Sequence, residues 1–235
     1  MPLPPATESG DRSHAVARIE SVAQLSTVLQ DTDPTLDPRL AARARQAAAE
    51  GTVLLRNDGV LPLRASARVA VFGRVQLDWF AVGYGSGGDV KVPYIWNLLS
   101  GLVDAGVQVD RELADLYRSW TAANPPAFDG TWGHWPHHFA EMPVTDAVVS
   151  DAADRSDLAM VVIGRAAGEA RDSVLDAGSY YLTADERALL DRVTAHFART
   201  VVVLDVGNVM DLGWLEEYGD RIAGLVWAWQ GGMEG

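Results

Sequence analysis

The stretch that decides the fold is Leu158-Ala159-Met160-Val161-Val162-Ile163-Gly164, an apolar run that does not alternate with polar residues. Similar runs are Val69-Ala70-Val71-Phe72-Gly73, Val201-Val202-Val203-Leu204-Asp205 and residues 222–229. Unbroken apolar runs of this length are typical of strands that are buried on both faces. Helical signals lie between them. The sequence therefore predicts an α/β fold, a mostly parallel sheet with helices on both faces.

Local signals place other elements around these strands. Asp37 as a cap, Pro38 at the first helical position and Gly51 at the end mark one helix, and residues 52–57 follow it as a strand. Thr183 and Glu186, three residues apart, have the spacing of a capping box that begins another helix. Further helices are expected over residues 21–30, 93–105 and 111–122, and a short strand over 107–109.

Composition excludes several classes of protein. The 235 residues carry a formal net charge of −13, which argues against a nucleic-acid partner because such binding needs clustered lysine and arginine. There are no cysteines, so disulfides and thiolate metal sites are excluded. The N-terminus lacks the basic start and apolar core of a signal peptide, and no apolar stretch approaches the roughly 18 residues of a membrane span. We expect no membrane association and a cytoplasmic location.

Residues 124–143 interrupt the alternation of strands and helices. They contain prolines, Trp132 and Trp135, and three histidines, His134, His137 and His138, without any periodicity. A metal site is not favoured, because no carboxylate stands at a clear ligand spacing and the histidines lack a helical scaffold. An aromatic flap over a ligand site and a packed surface excursion both remain open.

A glycine-rich segment follows the strand that ends at Gly73. Its sequence, Gly83-Tyr84-Gly85-Ser86-Gly87-Gly88, departs from the G-x-G-x-x-G spacing, and no Walker lysine follows it. Nucleotide binding is therefore a weak hypothesis. The segment is not a Gly-x-Ser-x-Gly elbow either, which argues against a serine hydrolase. Its glycines still permit close approach to a ligand, and Ser86 and the backbone amides are able to bind hydroxyl groups.

Acidic residues follow each of the later strands. Glu169 and Asp172 follow the strand that ends near Gly164, and Asp205 and Asp211 end and follow the next one. After the last strand come Trp229 and the turn Gly232-Met233-Glu234-Gly235. Open α/β sheets bind ligands at the carboxyl ends of their strands, so Glu234 is a candidate proton donor there. The alternative is an ordinary solvated surface glutamate.

The order of these motifs resembles the second domain of family 3 glycoside hydrolases. The segment Ala47-Ala48-Ala49-Glu50-Gly51-Thr52-Val53-Leu54-Leu55-Arg56-Asn57, with Leu61-Pro62-Leu63 after it, is similar to the entry to that domain. The resemblance continues in order through the strands and loops above to Gly235. It implies two regions: an N-terminal extension over residues 1–36, partly disordered, and an α/β sandwich domain over residues 37–235.

The resemblance also implies roles for individual residues. In this family a glutamate in such a turn is the acid/base catalyst, so the role carries to Glu234. The glycine-serine-glycine loop lies against the sugar, which implies substrate contacts for Ser86 and Gly87, and Trp229 offers indole surface for a sugar face. Asp172 is a further candidate, although Ala170 stands where many members have glycine after the glutamate. No metal and no cofactor are expected.

The resemblance finally implies a partner. Family members take the aspartate nucleophile from a (β/α)₈ barrel, and about 250 residues are needed for a barrel alone. We therefore expect an N-terminal piece of a longer retaining, exo-acting β-glycosidase, a β-glucosidase first of all, with the barrel absent and the sandwich incomplete at its C-terminus. The expected substrate is a β-glucoside or related oligosaccharide, and the chain alone should be inactive. The alternative is a non-catalytic carbohydrate-binding or partner-docking module.

Overall fold

A computed structural model of the protein describes residues 37–86, 88 and 94–235. The expected N-terminal extension, the helix over residues 21–30 and the candidate contact Gly87 lie outside these residues. The elements in chain order are α1 Pro38–Gly51, β1 Val53–Asn57, β2 Arg68–Phe72, α2 Leu98–Asp104, β3 Gln108–Val109, α3 Arg111–Ala123, α4 Asp146–Arg155, β4 Leu158–Arg165, α5 Ala184–His196, β5 Thr200–Val206, α6 Leu215–Tyr218 and β6 Ile222–Trp227. Short 3₁₀ turns occupy Arg74–Gln76, Gly219–Arg221 and Gly232–Glu234.

The six described strands form one sheet in the order β1-β6-β5-β4-β2-β3. Every neighbouring pair from β6 to β3 is parallel, whereas β1 runs antiparallel to β6 at one edge. Every residue of β4 and of β5 is buried. Burial on both faces is the physical reason that these strands do not alternate in hydrophobicity. The prediction of a mostly parallel α/β sheet is confirmed.

Each face of the sheet is covered by its own hydrophobic core. On one face α3, α4 and α5 contribute Tyr117, Val149 and Leu189, among other buried side chains. On the other face, Leu99 of α2 packs together with residues of the segment between β1 and α2, including Phe80. The helices therefore lie on both sides of the sheet, as the sequence pattern predicts.

Two of the predicted helix starts are confirmed in detail. The Asp37 side chain accepts a hydrogen bond from the Arg39 backbone N–H at 2.9 Å, and Pro38 is the first residue of α1. The Thr183 hydroxyl accepts from the Glu186 N–H at 3.1 Å, while the Glu186 carboxylate accepts from the Thr183 N–H at 2.8 Å. Caps of this kind typically contribute about 1 kcal/mol each to stability.

Other boundaries differ from the expectations. The helix expected over 93–105 begins only at Leu98, because the Asn97 side chain accepts from the Ser100 N–H at 2.8 Å and caps it there. The sequence analysis missed α4, whose cap is Thr145. The last strand ends at Trp227 rather than at residue 229, where the backbone takes a positive φ of 61°.

Candidate functional site

Four parallel strands end at the same edge of the sheet, and the loops after them are hydrogen-bonded to one another. These loops are residues 73–86 after β2, 166–183 after β4, 207–214 after β5 and 228–235 after β6. The Tyr84 N–H donates to the Ala167 carbonyl at 2.8 Å, and the Gly232 N–H donates to the Ala81 carbonyl at 2.8 Å. The candidate site residues are carried by this loop edge.

Glu234 lies in the 3₁₀ turn that ends the described chain, and its side chain is only 2% exposed. Both carboxylate oxygens are engaged. The Arg45 Nε and Nη2 donate to Oε2 at 3.0 and 2.8 Å, and the Tyr94 hydroxyl donates to Oε1. The turn itself is held by the Trp96 N–H, which donates to the Met233 carbonyl at 3.0 Å. Glu234 is therefore a positioned, nearly buried carboxylate and not a solvated surface acid.

The two partners of Glu234 come from two distant segments of the chain. Arg45 belongs to α1, and its guanidinium carbon lies 5.2 Å from the centre of the Trp96 ring. Burial, and then the hydrogen bond to Glu234, raises the pKa of the Tyr94 hydroxyl to about 12. Tyr94 accordingly keeps its proton near neutral pH and acts as a donor. Sequence reasoning missed both residues, because neither a helical arginine nor an isolated tyrosine carries a motif.

Ser86 is paired with an acid from the neighbouring loop. Its backbone N–H and its hydroxyl both donate to Oε2 of Glu169, at 2.9 and 2.6 Å. The hydrogen bond from the Ser86 side chain, and then that from its backbone, lowers the pKa of Glu169. Gly85 has a φ of 111°, and a Cβ built there would stand 2.4 Å from the Cβ of Glu169. The glycines thus serve the close contact between two loops.

Trp229 and Asp172 lie in different surroundings. Trp229 is 42% exposed, and its indole N–H donates to the Gly51 carbonyl at the end of α1, at 3.1 Å. Glu234 and Trp229 therefore both contact α1. Asp172 is exposed on the loop after β4. Among the described residues, no hydrogen bond or ion pair joins Asp172 to Glu234, so the substrate role of Asp172 stays a prediction, as do those of Ser86 and Trp229.

Two polar side chains, one buried and one partly buried, join the loops at this edge of the sheet. Asp205, at the end of β5, is fully buried, and its Oδ2 accepts from the Phe80 N–H at 2.6 Å. Burial raises the pKa of Asp205 well above its usual range, because the charged form of the carboxyl group is poorly solvated there. Gln230 packs against Gly207, where a Cβ would stand 2.3 Å from the Gln230 Oε1. The sequence singled out Asp205 by position only, and it did not identify Gln230.

The loop after β4 is fixed by a buried ion pair. Arg165 donates to both carboxylate oxygens of Glu186 at 2.6 Å. Although burial opposes the charged form, the adjacent Arg165 holds the pKa of Glu186 below its ordinary value. Arg165 also donates to the carbonyls of Ser179 and Tyr181, which fixes the later part of the loop.

The three histidines of residues 124–143 bind separate partners. His137 Nδ1 lies 2.6 Å from the Ser179 hydroxyl, and His138 Nδ1 donates to the Gly178 carbonyl at 3.0 Å. His134 Nδ1 lies 3.2 Å from Asp129. Burial lowers the pKa of His137 and of His138. In the described part of the chain, no three histidine, aspartate or glutamate side chains are grouped so that they could hold a metal ion.

The segment 124–143 itself contains no helix or strand, and part of it packs into the protein. Trp135, His137, Glu141 and Met142 are buried, while Trp132 and Phe128 are exposed. The segment is therefore partly a packed excursion and partly an exposed aromatic surface, so neither the flap nor the packed excursion expected from the sequence describes all of it.

Among residues 37–86, 88 and 94–235, no helix is long and apolar enough to cross a bilayer.

Most of the chain is similar to known proteins. The sequence profile of the Glycosyl hydrolase family 3 C-terminal domain matches residues 52–235. A β-glucosidase of Ruminococcus albus is 42% identical over 193 residues, which are 82% of this chain and 20% of that protein. β-Glucosidase A of Butyrivibrio fibrisolvens is 34% identical over 223 residues, covering 81% of this chain and 25% of the relative.

Solved structures give the same result. A β-glucosidase from Paenibacillus barengoltzii is 43% identical, with a TM-score of 0.79 over 83% of this chain and 22% of that one. β-Glucosidase 3B from Thermotoga neapolitana, in complex with α-D-glucose, is 30% identical, with a TM-score of 0.72 over 86% of this chain and 28% of that one. The chain thus spans about a fifth to a quarter of the length of the curated relatives.

Proposed function

The chain belongs to glycoside hydrolase family 3, and from that premise we propose that it supplies the general acid/base and part of the sugar pocket of a retaining β-glycosidase. The substrate class is a terminal, non-reducing β-D-glucoside or a related oligosaccharide, cleaved one sugar at a time. The name β-glucosidase of the relatives from Ruminococcus albus and Butyrivibrio fibrisolvens supports this class.

The observation that carries the proposal is the placement of Glu234. It stands in a Gly-Met-Glu-Gly turn at the carboxyl edge of the parallel sheet, nearly buried and hydrogen-bonded through both oxygens. An acid/base catalyst needs a fixed direction relative to the glycosidic oxygen, because proton transfer occurs over one hydrogen-bond length. A solvated surface glutamate would have no such fixation.

The mechanism requires a second carboxyl group about 5–5.5 Å away. In the first step that group attacks the anomeric carbon, and Glu234 donates its proton to the departing glycosidic oxygen, which leaves as an alcohol. In the second step, the oxygen of a water attacks the anomeric carbon while the Glu234 carboxylate takes its proton; the bond between that carbon and the nucleophile breaks, and the sugar leaves with its configuration retained. We propose that the nucleophile comes from residues beyond these 235, in a barrel domain.

Arg45 and Tyr94 occupy both carboxylate oxygens of Glu234. In each step one of these oxygens must instead reach the glycosidic oxygen or the water. We therefore infer that the contact between Arg45 and Glu234 loosens when substrate enters. Arg45 is 53% exposed, so its side chain has room to move.

Glu234→Ala in the enzyme that contains this chain together with its nucleophile domain tests the proposal. Positioned acid catalysis typically contributes about 10²- to 10⁴-fold, so we expect a loss of this size for β-linked disaccharides. The first step on aryl glucosides with activated leaving groups should be slowed far less, since such groups leave without protonation. The control is Glu216→Ala, which removes an exposed carboxylate of α6 and should leave both rates unchanged. Equal losses on both substrate types in Glu234→Ala would refute the acid role.

A further inference from the structure

An exposed tryptophan stands at the end of a row of aromatic rings that begins at the glycine-rich loop. The ring of Tyr84 stacks on Trp135 at 5.7 Å between centres and 6° between planes. Trp135 in turn meets Trp132 edge to face, at 4.7 Å and 74°. Trp135 is 4% exposed, whereas Trp132 is 57% exposed. Much of an indole surface is therefore open to solvent next to the candidate site.

The turn that carries Trp132 is held by its own hydrogen bonds. Oδ1 of Asp129 accepts from the Thr131 N–H at 2.8 Å, and the His134 N–H donates to the Thr131 carbonyl at 3.1 Å. The Trp135 carbonyl accepts from Arg171 Nε at 2.9 Å, which joins the turn to the loop after β4. The exposed indole of Trp132 therefore lies on a turn that is already held by hydrogen bonds. Because the backbone of this turn is ordered in advance, it loses little conformational entropy when a ligand covers the indole.

The surroundings of the indole have the chemistry that a sugar unit needs. The apolar C–H face of a pyranose packs on an aromatic ring, while its hydroxyls need charged or polar partners at the rim. The Asp129 and His134 side chains, 60% and 61% exposed, stand on the same turn. The Thr131 N–H, and then His134, lowers the pKa of Asp129, so this carboxylate is charged and able to accept hydrogen bonds from hydroxyls.

The position of the row decides which sugar unit it would bind. Tyr84 is two residues from Ser86, and the same loop is hydrogen-bonded through Ala81 to the turn that carries Glu234. Trp132 is at the far end of the row from that turn. On the basis of the proposed function, we propose that Trp132 is a binding platform for a sugar unit on the leaving-group side, beyond the unit that adjoins the cleaved bond, and so determines preference for oligosaccharides over short glucosides.

The test compares substrates of different length in the complete enzyme. The variants are Trp132→Ala, Trp132→Phe as the conservative replacement, and Phe128→Ala as the control, since Phe128 is 49% exposed in the same segment. The substrates are a nitrophenyl β-glucoside and a β-1,4-linked gluco-tetraose. Losing one aromatic stacking contact should lower kcat/KM for the tetrasaccharide by about 3- to 10-fold in Trp132→Ala. The nitrophenyl glucoside should be unaffected, and Trp132→Phe should keep most of the tetrasaccharide activity.

The possible outcomes separate this proposal from the one on which it rests. Hydrolysis of the nitrophenyl glucoside by the unaltered enzyme reports on the proposed function alone. Equal losses on both substrates, no loss on either, or the same loss in Phe128→Ala would overturn the platform. If the unaltered enzyme hydrolyses neither substrate, the affinity for the tetrasaccharide measured by calorimetry replaces kcat/KM, and an unchanged affinity in Trp132→Ala overturns the proposal.

Discussion

Replacing Arg165 by methionine is the most direct test of how the loop after β4 is held. The Arg165 side chain is fully buried and donates to both Glu186 oxygens at 2.6 Å. It also donates to the carbonyls of Gly164, Ser179 and Tyr181 at 2.7, 3.2 and 3.1 Å. Methionine has a similar length but no donor. The variant therefore leaves a buried carboxylate and three carbonyls without the guanidinium.

The expected loss of stability follows from the buried groups that no longer have a hydrogen-bond donor. Removing one partner of a buried ion pair typically costs about 3–5 kcal/mol, because the remaining charge stays buried. Domains are stable by about 5–15 kcal/mol, so Arg165→Met should lose a large part of the free energy of unfolding. At about 2–4 °C per kcal/mol for a chain of this size, the melting temperature should fall by roughly 6–20 °C. Urea and thermal unfolding followed by circular dichroism measure both quantities.

A double variant separates the ion pair from simple loss of packing. Glu186→Gln removes the buried charge but keeps an oxygen for the Thr183 N–H, which now donates to Glu186 at 2.8 Å. Arg165→Met combined with Glu186→Gln should therefore be more stable than Arg165→Met alone. The control is Arg39→Met, an exposed partner of Asp37, which should leave the unfolding midpoint unchanged. A loss below about 1 kcal/mol in Arg165→Met, or strictly additive losses in the double variant, would refute the reasoning.

Three further predictions concern backbone, pH and activity. Gly73→Ala should destabilise the fold by more than about 2 kcal/mol, since φ is +95° and a Cβ would stand 2.2 Å from the Val162 carbonyl oxygen; Gly101→Ala, with open space inside α2, should stabilise it by about 0.5–1 kcal/mol in the same urea titration. Burial raises the pKa of Glu141 to about 7 from 4.5, so the folded state holds this proton more tightly, and stability should fall by about 3 kcal/mol between these pH values. Glu141→Gln should flatten that slope, and an unchanged slope would contradict the assignment. Under the proposed function the nucleophile belongs to another domain, so the 235-residue chain alone should release no nitrophenol from an aryl β-glucoside; ordinary turnover would overturn the proposed division of the mechanism.

Much of the architecture was readable from local patterns. The unbroken apolar runs at β4 and β5 required burial on both faces, which only a covered parallel sheet provides. Short-range signals such as the Asp37 cap and the Thr183–Glu186 capping box also located helix starts correctly. Such signals act within a few residues and do not depend on the rest of the chain. The helix α4 was missed, since its cap and its short apolar stripe are weak beside the neighbouring proline-rich segment.

Only part of the candidate site could be predicted from the sequence. The turn around Glu234 has a motif and follows a strand, so its position at the carboxyl edge was foreseeable. Its partners were not: Arg45 is 189 residues away in sequence and Tyr94 is 140 residues away. Ser86 had been expected to face a ligand, and its contact with Glu169, 83 residues away, was likewise not foreseeable. Long-range contacts of this kind form only when the strands pair into a sheet and bring their loops together, and no periodicity in the sequence encodes them.

The sequence by itself therefore determined the fold class, the family resemblance and a candidate residue for proton transfer, because hydrophobic runs, caps and a short motif are local properties. Only the tertiary structure decided which side chains surround that residue, which acids are buried, and which tryptophans are open to solvent. Those properties depend on burial and on distances between loops, and both exist only once the six strands have assembled.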